Sequence, residues 1–397
     1  MTTTILITFC SLMLIAYLFD ITSAKTKIPS VILLLLVGWG MKEISLFLGF
    51  TLVDFSTLLP VLATIGLILI VLEGSLELKL NSSKIPLLKK SVLGALLPMI
   101  LLAALLAYAF HYFGNYSLKI SLINAIPLCV ISSAIAIPSV INLDSREKEF
   151  IVYESSFSDI IGILFFNFIA LNETLDLAAF GNFGLHLIIM LVVSIIGTIG
   201  LSLLLNRIEH HIKFIPIILL IVLVYAVLKA YHLPALLFIL LFGLAIGNLD
   251  QFKKIKWFKN VNTDNLKNEI KRFEEITIEG AFLVRALFFI LFGYTIETAE
   301  ILNQDTIFWA MLIVGIAFLI RAGQLKISNF DFTPLLYIAP RGLITVLLFL
   351  SIDPKDNIPL VNNSLIIQII LLSAIIMAIG LIAKPEKEKT EEEISEV

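Results

Sequence analysis

The segment Tyr153-Glu154-Ser155-Ser156-Phe157-Ser158-Asp159 gathers two carboxylates and three serines inside an otherwise apolar stretch, residues 149–171. At helical spacing Ser155 and Asp159 share one face, while Glu154 and Ser158 share another roughly 100° away. A carboxylate beside a hydroxyl offers hard oxygen ligands to a small cation such as Na+. The second face holds a carboxylate that needs a counter-charge. Arg341 lies at similar depth in its own apolar stretch, 332–352, so a Glu154–Arg341 ion pair is the simplest way of placing both charges there. Asp159 is then left without a cation of its own unless Arg285 reaches it, and a proton and a metal cation can compete for one carboxylate.

Two interruptions of the chain bear on the same chemistry. Ser132-Ser133-Ala134, followed by Pro138, falls inside the apolar stretch 120–142, and Pro340-Arg341-Gly342 falls inside 332–352. Helices broken at membrane depth free backbone carbonyls and expose helix ends to an ion. The hydroxyls of Ser132 and Ser133 would stand at one such break. Glu73, in Leu72-Glu73-Gly74-Ser75, either lines the ion's route or reaches out to the interface; Glu77 and Glu279 lie closer to span ends. Arg285 either anchors a helix or stands near the carboxylates. His111 and His186 sit near span ends, where interfacial structural roles suit them.

These residues need elements that hold them away from water, and the composition supplies them. Of 397 residues 59% are apolar and 15% charged, with a mean hydropathy of +1.02. A soluble domain is about 25% charged, so a cytosolic enzyme, a nucleic-acid binder and a disordered chain are excluded. The formal charge of −3 gives no electrostatic reason to bind nucleic acid. Segments of about 20 apolar residues recur almost end to end, each long enough to cross a ~30 Å hydrocarbon core. Thirteen spans are expected between residues 4 and 383. With the N-terminus outside, 22 Lys and Arg fall in the inside loops, 4 in the outside loops and 2 within spans. This split follows the positive-inside rule and places the C-terminus in the cytoplasm.

The expected domains are a transmembrane unit, 1–383, with a cytoplasmic segment at 250–275, and an acidic cytoplasmic tail, 384–397. Lys253 to Lys259, with Trp257 and Phe258, reads as an interfacial segment within reach of lipid head groups. The first span lacks a basic residue before its apolar stretch and is not expected to be cleaved as a signal. Cys10 and Cys129 fall within spans and read as buried free thiols, without metal-ligand spacing. The two interrupted spans are the fifth and the twelfth. Seven spans apart, they cross in opposite senses, as an inverted repeat requires.

On these motifs the chain resembles the monovalent cation/proton antiporters, specifically the NhaP-like sodium/proton exchangers. Glu154-Ser155-Ser156-Phe157-Ser158-Asp159 is similar to the family's Glu-Ser-x-x-Asn-Asp pattern in the sixth span. Ser132-Ser133-Ala134 falls where the family has Thr-Asp-Pro, Arg341-Gly342 matches its Arg-Gly, and Glu73-Gly74 its Glu-Gly. The resemblance implies an all-α membrane protein with inverted repeats, two broken crossing helices, a moving core domain and a dimerisation domain. It implies Asp159 as the ion- and proton-binding carboxylate, with Ser155 and the Ser132 region as oxygen ligands, Glu73 approaching the site, and Glu154 paired with Arg341. Ser158 replaces the family's Asn, and the Ser132-Ser133-Ala134 segment lacks its Asp. A single carboxylate at Ser158-Asp159 resembles the electroneutral pattern. The expectation is a homodimer in a bacterial inner membrane that exchanges Na+ or Li+ for H+ by alternating access, without cofactor. The alternatives are K+/H+ exchange or K+ efflux by the same fold, an uncoupled channel, an intramembrane aspartyl hydrolase, and an inactive or sensing relative.

Overall fold

A computed structural model describes residues 2–49, 58–78, 82–140, 143–172, 177–207, 214–231, 233, 235–248 and 263–383. The Lys253 to Lys259 cluster, the tail 384–397 and Lys79 lie outside the described residues. Among the described residues all regular structure is helical. The helices are α1 (Thr2–Thr26), α2 (Ser30–Phe47), α3 (Leu58–Glu77), α4 (Ile85–Gly114), α5 (Leu118–Ala125), α6 (Ser133–Ser139), α7 (Ser145–Leu171) and α8 (Leu177–Arg207). They continue as α9 (Phe214–Ala230), α10 (Ala235–Gly247), α11 (Thr263–Thr295), α12 (Thr298–Ile301), α13 (Gln304–Ile327), α14 (Leu343–Leu350) and α15 (Asn363–Ala383).

Among the described residues ten helical stretches are long and apolar enough to cross a membrane, the interrupted Leu118–Ser139 among them, and α9 and α10 are shorter apolar helices. The second interrupted segment, a 3-10 turn (Leu335–Tyr337) leading through Pro340 to α14, occupies the remaining expected span. Local chemistry sets several ends. The Ser117 hydroxyl accepts from Ile120 N–H at the start of α5, and Asn303 accepts from Asp305 N–H at the start of α13, each satisfying a donor the helix leaves open. Asn115 ends α4 in the left-handed conformation, φ 57°, which asparagine tolerates better than most residues.

The outer surface is apolar. Leu6, Leu14 and Leu18 on α1 and Leu185, Ile188 and Ile196 on α8 are all about half exposed or more, which suits a hydrocarbon solvent rather than water. Cys10, expected to be buried, lies exposed on α1, while Cys129 is buried; both are free.

The helices fall into two groups. One packs α2, α3, α8, α10 and α11 together, with α1 and α9 attached; the other packs α4 to α7 with α13 to α15. The second group consists of two three-span units, each with an interrupted middle span: α4, α5/α6, α7 and α13, the Leu335–Leu350 segment, α15. Backbone approach in the first group is close where glycine allows it. A Cβ on Gly38 of α2 would overlap the Ile290 carbonyl of α11, and one on Gly293 of α11 would overlap the Leu35 carbonyl of α2. Small residues at such contacts let membrane helices gain dispersion energy where no hydrophobic effect drives them together.

Candidate functional site

The two interrupted spans cross each other, and several backbone groups at the breaks are held by tertiary partners. At the first, the 3-10 turn Ile126–Leu128 ends α5, residues 130–132 have no regular structure, with Ser132 extended, and α6 starts at Ser133. Serines compete for backbone hydrogen bonds and favour such an end. At the second, Pro340 has no N–H and disfavours a helical residue before it. The Ser132 N–H donates to the Pro340 carbonyl at 2.8 Å, joining the two breaks directly. Ile131 N–H donates to the Ser158 hydroxyl at 2.9 Å, and Arg341 N–H donates to the Ser373 hydroxyl at 3.0 Å. Unwound backbone can sit at this depth because these partners replace the helical ones.

The charges follow the helix ends. Arg341 donates from Nε to the Leu128 carbonyl at 3.2 Å and from Nη1 to the Ala339 carbonyl at 2.6 Å. Its guanidinium therefore meets the C-terminal end of the α5 segment, where the backbone dipole is negative. At the opposite end of the gap Asp159, midway along α7 and 2% exposed, accepts on Oδ2 from the Ser133 N–H at 3.2 Å and from the Ser133 hydroxyl. A carboxylate is thus placed at the start of α6.

The expected Glu154–Arg341 pair is not formed. Glu154 is fully buried and is held by Arg321 of α13 in a two-point contact, Nη1 to Oε1 at 3.1 Å and Nη2 to Oε2 at 2.9 Å. Arg321 also donates from Nε to the Leu335 carbonyl at 2.7 Å. By apolar segment length the eleventh expected span covers 306–321 and leaves Arg321 at an inside loop; the helix runs on to Ile327 and buries it. The available signal was length, since a span of 306–321 is shorter than the ~20 residues a crossing needs. Gly94 on α4 makes room for this pair: a Cβ there would lie 2.9 Å from Glu154 Oε1 and 2.8 Å from Gln324 Nε2.

Glu73 and Arg285 are brought together, Nη1 to Oε2 at 3.8 Å, joining α3 to α11. The next residue, Gly74, lies at the boundary with the broken-helix group, where a Cβ would meet the Ser156 hydroxyl of α7 at 3.3 Å. Ser155 is buried and donates to the Ile151 carbonyl of its own helix at 2.7 Å, so its oxygen keeps a lone pair free. Ser158 uses its oxygen on Ile131.

Several buried oxygens around the crossing have no hydrogen-bond partner: Asp159 Oδ1, Ser132 Oγ, Ser156 Oγ and Thr345 Oγ1. Buried polar atoms are ordinarily satisfied, so an orphaned carboxylate oxygen with hydroxyls nearby is what a cation or proton would complete. Ser132 Oγ faces Gly342, where a Cβ would lie 2.9 Å from it; Thr345, three residues further on the same helix face, was not anticipated from the sequence. No cluster of three His, Cys, Asp or Glu able to hold a metal occurs among the described residues. One carboxylate with neutral oxygens suits a monovalent cation better than a tightly held divalent one.

Crossed, interrupted helices around one buried, half-satisfied carboxylate define an ion-translocating membrane protein. The family model for the transmembrane part of sodium/hydrogen exchangers matches residues 10–385. The chain belongs to the sodium/hydrogen exchanger family, a transporter family and not an enzymatic one. Two solved structures share its fold, both of the sodium proton antiporter MjNhaP1 from Methanocaldococcus jannaschii. One has a TM-score of 0.70 at 18% identity, covering 95% of this chain and 99% of that one. The other, a map from electron microscopy, has a TM-score of 0.67 at 19% identity, covering 98% and 100%. No curated protein matches the chain in sequence.

Proposed function

We propose that this exchanger trades one Na+, or Li+, for one H+ at Asp159, without cofactor. The observation that carries the reading is the division of the Asp159 carboxylate: Oδ2 is held by Ser133 and Oδ1 is buried without a partner. A single carboxylate takes either a proton or a cation, and exchanging one for the other moves no net charge. Ser132, Ser155 and Thr345 supply neutral oxygens, Ser133 and Ser158 hold the carboxylate and the unwound backbone, and Glu73 with Arg285 flanks the route. Glu154–Arg321 and Arg341 fix the core. The transmembrane unit is 1–383, with 250–275 and the tail 384–397 in the cytoplasm, and the N-terminus outside a bacterial inner membrane.

Access alternates as the broken-helix group (α4 to α7, α13 to α15) shifts against the other, which forms a homodimer surrounded by lipid. Dense packing within each group and the glycine-lined boundary at Gly74 support this division. The test is cation-induced collapse of an imposed pH gradient in proteoliposomes, with Na+, Li+ and K+, with and without a potential clamp. Wild type responds to Na+ identically under both conditions, and Asp159→Asn folds but is silent. Clamp sensitivity removes electroneutrality, a K+-only response moves the substrate, and exchange by Asp159→Asn removes the site.

A further inference from the structure

Away from the exchange site, a cavity of about 440 Å³ opens where α4 and α7 begin, lined in part by Lys84, Pro86, Lys90, Arg146 and Glu149. Glu149 Oε1 accepts from Lys84 Nζ at 2.7 Å, which leaves Lys90 and Arg146 as the surplus positive charge. Both line this one pocket, and each lies over the Phe330 ring, 5.1 and 5.5 Å from its centroid. Lys90 spends one N–H on the Ser328 carbonyl at 2.8 Å and retains two.

A second observation names the kind of anion. Pro86 and Lys90 lie on the same face of α4 as Leu93 and Leu97, and the stripe continues to Leu101. These leucines are 50%, 51% and 50% exposed. A cationic cup at the head of an apolar stripe matches an amphiphile with an anionic head. A guanidinium and an ammonium lining one pocket match phosphate oxygens. We propose that this pocket seats the phosphate of an anionic phospholipid, with its acyl chains along Leu93, Leu97 and Leu101.

The pocket is walled by α4, the turn before it and α7, all in the broken-helix group, and Phe150 of α7 packs on Phe330 after α13 with centroids 4.3 Å apart. The lipid therefore travels with that group and ties its depth to one leaflet, the cytoplasmic one if the proposed topology holds.

The test is native mass spectrometry of the full chain released from detergent and titrated with phosphatidylglycerol or phosphatidylcholine. One phosphatidylglycerol binds saturably per chain in preference to phosphatidylcholine. Arg146→Gln weakens it about fivefold, the effect expected of one basic residue at an anionic surface. Glu149→Gln, which removes the facing carboxylate, tightens it. Lys90→Gln also loses the Ser328 contact, so Arg146 and Glu149 carry the test. Equal binding of the two lipids overturns the proposal, as does unchanged phosphatidylglycerol affinity in both variants. Displacement by millimolar glycerol phosphate overturns it in favour of a soluble-anion site. Lipid mass is read without transport, so a failure of the exchange mechanism leaves this result separately readable.

Discussion

Replacing Arg321 separates the observed core from the one expected of the sequence. Its guanidinium makes two charge-assisted hydrogen bonds to Glu154, at 3.1 and 2.9 Å, with both side chains at most 2% exposed. Removing one member of such a pair leaves the other charge buried and costs about 3–5 kcal/mol. Arg341 is also deeply buried, but its bonds go to the Leu128 and Ala339 carbonyls. A double-mutant cycle compares the two arginines directly. Arg321→Met and Glu154→Gln, singly and together, should show a coupling of about 2–3 kcal/mol, because the double variant abandons no charge. Arg341→Met with Glu154→Gln should couple by less than about 0.5 kcal/mol, the additive range for residues without a shared partner. The readout is reversible unfolding in mixed micelles titrated with SDS. Strong coupling of Glu154 to Arg341, or none to Arg321, would refute the reasoning.

Gly94→Ala places a methyl 2.8 Å from Gln324 Nε2 and 2.9 Å from Glu154 Oε1. It should cost about 1–3 kcal/mol by overpacking in the same micelle titration. The Lys84 ammonium, outside the spans, is pushed above its ordinary value by its hydrogen bond to Glu149. A raised basic group contributes stability that is complete below its unfolded value and is lost as pH rises through the folded one. The difference between wild type and Lys84→Met should therefore be flat from about pH 6 to about pH 9 and shrink only in stronger alkali. Because both side chains are about one-third exposed, it should stay under about 1 kcal/mol.

What could be counted along the chain was legible in the sequence. Apolar segment length marks each crossing, because the hydrocarbon core sets a minimum length. The same counting puts Asp159 at midplane and shows both interruptions, because Ser132-Ser133 and Pro340 act on the backbone next to them. Lateral relations were not legible. At depth the sequence offers Glu154 Arg341 and Arg285, and spacing along separate helices does not say which arginine faces it. That depends on where α13 and the second break stand around α7, and on the extra turns that carry Arg321 into the bundle. Arg341 is drawn instead to the Leu128 carbonyl, a partner that exists only because the first helix ends there. Ser158 went to Ile131 and Thr345 emerged beside the crossing for the same reason. Sequence periodicity fixes depth and face within one helix, whereas the hydrogen-bonding partners of a buried charge are set by packing between helices.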